Sequence, residues 1–245
     1  MRITKLTIAI AVCVGALVPT VYAQTIKPTK TNTPTASAPQ KPAVATSVSY
    51  LTKQEQDLLT EINFARANPV AYIPFLEQYK KYYDGKLVRF PGGSMLVTNE
   101  GVAALEDAIA FLRTLKPLPP LEIRKGMVSG AKVHLDDMRA SQRSGHTGSD
   151  GSKPEDRLSR FGSWQDSVGE NIVYETRSAR NDVIGLIIDD GVATRGHRKN
   201  LFKTTFKVIG ISYGGPVNKK TIAVITFAGG FLDKGDSKKP TATAY

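Results

Sequence analysis

The residues best suited to chemistry gather between positions 146 and 197. Two of the three histidines lie there, each preceded by glycine: Gly145-His146 and Gly196-His197. Between them stand Glu170, in Gly169-Glu170-Asn171, and the pair Asp189-Asp190. Two imidazoles and two or more carboxylates beside glycines, which let backbone approach closely, are the raw material of a metal site or an acid/base site. His146 stands in a glycine- and serine-rich loop (SGHTGSDGS), where side chains can converge on a ligand. His197 is flanked by Arg195, Arg198 and Lys199; a neutral imidazole there could ligate a metal or accept a proton.

The other candidates are weaker. His134 lies mid-helix in Val133-His134-Leu135-Asp136-Asp137 and reads as a core or surface histidine held by a neighbouring carboxylate. Glu155 follows Lys153-Pro154 and serves its own loop. A lone Gly-Glu-Asn is as compatible with a turn-stabilising carboxylate as with a functional one. Helical geometry separates the aspartates. At about 100° per residue, Val183, Ile184, Leu186, Ile187 and Ile188 define a buried stripe. Asp190 falls at the edge of that stripe, facing a pocket shared with the histidines, and Asp189 points toward water.

These groups need a scaffold, and the pattern around them supplies one. Thr52 with Glu55 makes a capping box opening a helix that Asn68-Pro69 interrupts, and Val70–Tyr83 continues as a second helical segment. Residues 86–98 read as a loop or short hairpin around Pro91-Gly92-Gly93. Amphipathic helices follow over Asn99–Leu115 and Lys125–Ser141, with another over Arg180–Gly191. Two runs rich in β-branched and aromatic residues, Val208–Tyr213 and Thr221–Phe231, form a hairpin turning at Gly214-Gly215-Pro216. Helices first and strands last make the class α+β.

The ends of the 245-residue chain differ in composition. A basic start (Met1–Lys5), an apolar run and Val21-Tyr22-Ala23 predict a secretory signal peptide over 1–23, too short to span a membrane. The Thr/Pro/Lys stretch 24–49 reads as a disordered linker, 50–232 as the folded domain and 233–245 as a disordered tail. The single cysteine, Cys13, lies in the apolar run, so the mature, exported chain has no disulfide and no transmembrane segment. The net charge is +11; without the signal, linker and tail, 25 Lys and Arg face 20 Asp and Glu. A modestly basic domain favours anionic cell-surface polymers or lipids. Nucleic acid is not expected, since neither a dense basic run nor a binding motif is present.

One ordered set of motifs spans Leu51 to Phe231: Asn63-Phe64-Ala65-Arg66 before Asn68-Pro69, Gly145-His146-Thr147, Gly169-Glu170-Asn171-Ile172, Asp189-Asp190-Gly191-Val192, and Arg195-Gly196-His197-Arg198. It resembles the CAP superfamily of cysteine-rich secretory, antigen 5 and pathogenesis-related proteins, in its disulfide-free bacterial branch. The resemblance implies a three-layer α-β-α sandwich whose cleft holds two histidines and two acids. Carried over by position, these are His146, Glu170, Asp190 and His197. Ile187 stands where the family has a Trp before the helical acid, and Arg198 where it has an aromatic.

The resemblance implies a secreted module whose tetrad binds a divalent metal or a small or lipid ligand. His146 and His197 favour Zn²⁺ over Ca²⁺, which prefers oxygen. A hydrolase of peptides or cell-wall polymers, metal-dependent or using Ser144, Thr147 or Ser149, is the alternative, although no nucleophile elbow or HExxH motif accompanies it. A purely structural tetrad is the third reading.

Overall fold

The computed structural model describes residues 48–236. The expected signal peptide, nearly all of the linker and most of the tail lie outside the described residues. No described helix is long and apolar enough to cross a membrane.

The first helix, α1 (Lys53–Ala67), opens on the capping box: the Glu55 amide donates to Thr52 Oγ1 at 3.3 Å, and the Thr52 amide donates to Glu55 Oε2 at 2.7 Å. It breaks at Asn68, and α2 (Pro69–Lys80) starts on the proline, whose missing N–H costs nothing in a first turn. Three short antiparallel strands follow, β1 (Tyr83–Asp84), β2 (Leu87–Arg89) and β3 (Met95–Val97), as a small sheet with β3 at its edge. The remaining elements are α3 (Val102–Thr114), β4 (Glu122–Ile123), α4 (Lys125–Ser141), α5 (Pro154–Ser159), β5 (Gly162–Tyr174), α6 (Ala179–Ile188), α7 (Gly196–Leu201), β6 (Val208–Val217) and β7 (Lys220–Asp233).

The main sheet has the order β4-β6-β7-β5, antiparallel except where β4 runs parallel to β6. Successive strand residues face opposite ways, and the core divides accordingly. Ile209, Ile211, Ala223, Ile225 and Phe227 pack against α1, α3 and α6 in the largest apolar cluster. Ile172, Ile222 and Val224 pack against Ala131, Leu135 and Met138 of α4, and Val208, Ala228 and Phe231 against Met127 and Leu158. Helices thus cover both faces, giving the α-β-α layering. Each fully buried Leu or Ile stabilises the fold by about 1.5–3 kcal/mol. At Gly210 the α4 layer meets the sheet so closely that a Cβ would lie 2.3 Å from the Met127 carbonyl carbon.

The Asn-Phe-Ala-Arg motif is a structural staple. Asn63 pairs reciprocally with the backbone of Leu121, at 3.0 and 2.8 Å. Arg66, 1% exposed, donates to the carbonyls of Pro119, Leu201, Lys203 and Phe206. Burial pushes its guanidinium down to about 10.

Two expectations change. The sheet hairpin does not turn at Gly214-Gly215-Pro216, which lies inside β6; it turns at Asn218-Lys219, with φ of 46° and 66°. Positive φ at both central residues is the turn geometry that matches strand twist, and Asn tolerates it well. The strands are also not confined to the end of the chain. β5, 13 residues long, comes before α6 at the edge of the sheet, and its first half is polar and largely exposed.

Candidate functional site

Glu170 and Asn171 are neighbours on β5 and face opposite layers. Glu170 points toward α4 and α5. Its Oε1 lies 2.9 Å from His146 Nδ1 and its Oε2 accepts from Arg157 Nη2 at 2.8 Å. Arg157, on α5, also donates to the carbonyls of Ser152 and His146, so the guanidinium closes the loop carrying His146. Both members of the Arg157–Glu170 pair are buried, each side chain 1% exposed. Two further bonds fix the loop at Gly145, whose φ of 105° suits glycine. Its amide donates to Tyr174 Oη at 2.9 Å, and its carbonyl lies 2.8 Å from His134 Nε2.

Of the two settings expected for His134, core or surface, the structure gives the core, and its place there is within this network. Its Nε2 sits 3.8 Å from Glu170 Oε1, and its buried Nδ1 has no partner among the described residues. Burial, stronger than the opposing pull of Glu170, lowers its pKa and keeps the ring neutral.

The second histidine belongs to the other layer. Asn171 donates to the His197 carbonyl at 3.0 Å and accepts from Asn200 at 2.9 Å, tying β5 to α7. His197 is held by Asp189, not by Asp190. Asp189 Oδ1 lies 2.6 Å from His197 Nδ1, and Oδ2 accepts from the amides of His197 at 2.9 Å and Arg198 at 3.2 Å. Asp190 instead accepts from the amides of Asn99, at 2.6 Å, and Glu100, at 2.8 Å, holding the approach to α3. Asp190 lines the same cavity as His197, as expected, but Asp189, expected to point toward water, is buried and holds the imidazole; the expectation carried the helical rotation past the end of α6. That helix stops at Ile188, and Asp189 turns left-handed (φ 55°, ψ 44°), which swings its carboxylate inward.

The cations around His197 have partners of their own. Arg195 pairs with Glu100 at 2.6 Å and Asp107 at 3.2 Å. Arg198 is buried, pairs with Asp107 at 2.8 Å, and donates to the carbonyls of Ile187 and Ile188 at the C-terminus of α6.

Three of the four expected residues thus fall in two dyads, His146–Glu170 and His197–Asp189; Asp189 takes the place expected for Asp190, which lies outside both. Each imidazole is bonded through Nδ1 to a carboxylate, which fixes ring and tautomer. Among the described residues, no group of three or more His, Cys, Asp or Glu side chains is arranged to hold a metal ion. Ser149 Oγ bonds to Asp137, and among the described residues His146 makes no hydrogen bond to Ser144, Thr147 or Ser149.

A cavity of about 390 Å³ adjoins the second dyad. Val97, Ile172, Leu186 and Ile188 contribute to its mainly apolar wall, and His197, Asp189, Asp190 and Asp182 add polar groups. His146 and Glu170 do not line it. Asp182 is new to the site. Burial pushes its carboxyl up to about 6, against the opposing hydrogen bond from the Arg177 amide. The only trace of it in the sequence is an acid in the first turn of a helix.

Residues 106–226, which include both dyads, match the model of the cysteine-rich secretory protein family, CAP. The chain carries a CAP domain. With one cysteine in the whole sequence, it has no intrachain disulfide. Among solved structures, an extracellular protein containing a SCP domain from Bacillus anthracis is 25% identical, with a TM-score of 0.37, over 45% of this chain and 34% of that one. An outer surface protein from Borrelia burgdorferi is 21% identical, with a TM-score of 0.38, over 52% of this chain and 90% of that one. The matched part therefore spans about a third of the length of the Bacillus protein. No curated protein sequence is significantly similar to the chain.

Proposed function

We propose that the CAP domain is an exported binding module that takes a small amphipathic molecule in the cavity beside His197. The observation that carries this is the lining itself: an apolar wall ending in a histidine oriented by Asp189 and in the buried carboxyl of Asp182. A mostly apolar pocket with a few convergent polar groups, one with a perturbed pKa, suits a ligand with a hydrocarbon body and a polar head. Gly185 provides a direct test, because it lines the cavity and a Cβ there would meet nothing within 4 Å. Gly185→Leu should fill the space and improve the helix propensity of α6. Titration with an anthroyloxy-labelled stearic acid should show saturable binding to the native chain, lost in Gly185→Leu and weakened in His197→Ala. Undiminished binding in Gly185→Leu refutes the cavity as the site.

A second reading rests on the dyads. A carboxylate bonded to Nδ1 is the usual outer-shell partner of a zinc-ligating histidine, leaving Nε2 as the ligand atom. His146 and His197 would then hold Zn²⁺, with Glu170 and Asp189 orienting them rather than binding the ion. Calorimetric titration with ZnCl₂ should show one saturable site, abolished by His146→Ala and by His197→Ala alike. Binding that survives both substitutions rules this reading out. The hydrolase alternative receives no comparable support from the hydrogen bonding around His146.

A further inference from the structure

The edge strand β3 exposes three consecutive apolar side chains: Met95 is 59% exposed, Leu96 40% and Val97 76%. Successive residues of a strand point to opposite faces, so both faces of β3 are bare. Leu96 and Val97 also form part of the rim of the cavity. A protein docking on a strand covers one face or pairs with its edge; apolar side chains open on both faces call for a surrounding medium.

The rest of the region matches a membrane interface. Residues 78–99 contain Lys80, Lys81, Lys86 and Arg89 against the single acid Asp84, a net charge of +3. Lys80 is paired with Glu106 and Arg89 with Asp84, while Lys81 and Lys86 are exposed and form no ion pair among the described residues. Behind them Tyr79, Tyr82 and Phe90 pack as an aromatic cluster, with the Arg177 guanidinium 4.3 Å from the Phe90 ring centroid. Apolar tips, amphipathic aromatics and long cations together are what the boundary between headgroups and acyl chains selects. The backbone edge of β3, unpaired among the described residues, sets the depth, since peptide groups without partners cannot enter hydrocarbon.

We infer that the β2–β3 hairpin docks the domain on an anionic lipid surface, with Met95, Leu96 and Val97 reaching just below the headgroups and Lys81 and Lys86 at their level. The cavity mouth would then face the bilayer. The inference does not depend on what the cavity binds.

The mature chain, from Gln24 onward, should co-sediment with vesicles of phosphatidylcholine containing phosphatidylglycerol, weakly with phosphatidylcholine alone, and less as salt rises. Leu96→Ser with Val97→Ser should lower partitioning at least about tenfold at unchanged melting temperature. Lys81→Gln with Lys86→Gln is a second, independent variant; each cation removed should cost about fivefold. Equal partitioning of both double variants with the native chain overturns the proposal, as does absence of vesicle binding by the native chain. If the native chain ignores vesicles but self-associates through these residues, seen as a mass change by light scattering in the serine variant, the patch is a protein interface and the proposal fails.

Discussion

Replacing Glu170 with alanine tests the organisation of the first dyad. Among the described residues the carboxylate is the one ionic partner of Arg157, at 2.8 Å, and both side chains are 1% exposed. Without it the guanidinium stays buried with only the Ser152 and His146 carbonyls to satisfy it, and its Nε already lacks a partner among the described residues. Breaking a buried ion pair from one side costs about 3–5 kcal/mol. For a domain of this size each kcal/mol shifts the melting point by about 2–4 °C, so Glu170→Ala should melt roughly 6–20 °C lower. Arg157→Met should cost a similar amount by stranding the carboxylate. The double variant should lose much less than the sum, because a pair replaced by apolar groups removes both desolvation penalties. Urea unfolding of the four proteins closes the cycle and should give a coupling of at least about 2 kcal/mol. Additive losses, or single losses below about 1 kcal/mol, would refute the view that this pair fixes the His146 loop.

Three further outcomes follow from the same geometry. Burial lowers the pKa of His134 below its ordinary 6.5, so the unfolded ring takes up a proton where the folded one does not. Stability should therefore fall on acidification below about pH 6.5, and His134→Gln should flatten that fall in urea titrations; an unchanged slope argues against it. Asp182 acts in the opposite sense. Its carboxyl, raised to about 6 from 3.8, favours the fold at low pH and loses that contribution as pH rises through 6. Asp182→Asn should add about 2–3 kcal/mol at pH 8 and little at pH 4, and equal effects at both pH values would contradict the assignment. Gly210→Ala would press a methyl group against the backbone of Met127 and Val128, so a loss of about 1–3 kcal/mol and faster amide exchange in α4 are expected; native stability would show that the layers yield more readily than their contacts indicate.

What could be read from the sequence depended on how local its cause was. The capping box at Thr52, the breaking of the first helix at Asn68-Pro69, and the apolar faces of α3 and α4 are written in neighbouring residues and appear where expected. The hairpin strands were legible, but their turn was not, because Gly-Gly-Pro is a stronger local signal than Asn-Lys. β5 escaped notice since consecutive residues of its first half are polar and exposed on both faces, leaving no alternation to detect. The exchange of Asp189 for Asp190 hinged on a single left-handed residue, Asp189, that no helical periodicity contains. Arg157 gave no signal at all: it pairs with Glu170 across the space between helix and sheet, and only the fold brings them together.

The edge strand that carries Glu170 and Asn171 also separates two units of unequal strength. On one face lies a broad apolar cluster drawing on α1, α3 and α6; on the other, two small clusters and the ion pair hold α4 and α5. Regions with fewer buried apolar partners open first, below the free energy of global unfolding. The layer behind His146 should therefore breathe independently of the layer behind His197, and any molecule gripping both imidazoles would clamp the two together. Its affinity would then carry the cost of suppressing that opening, making occupancy a gauge of how firmly α4 rests on the sheet.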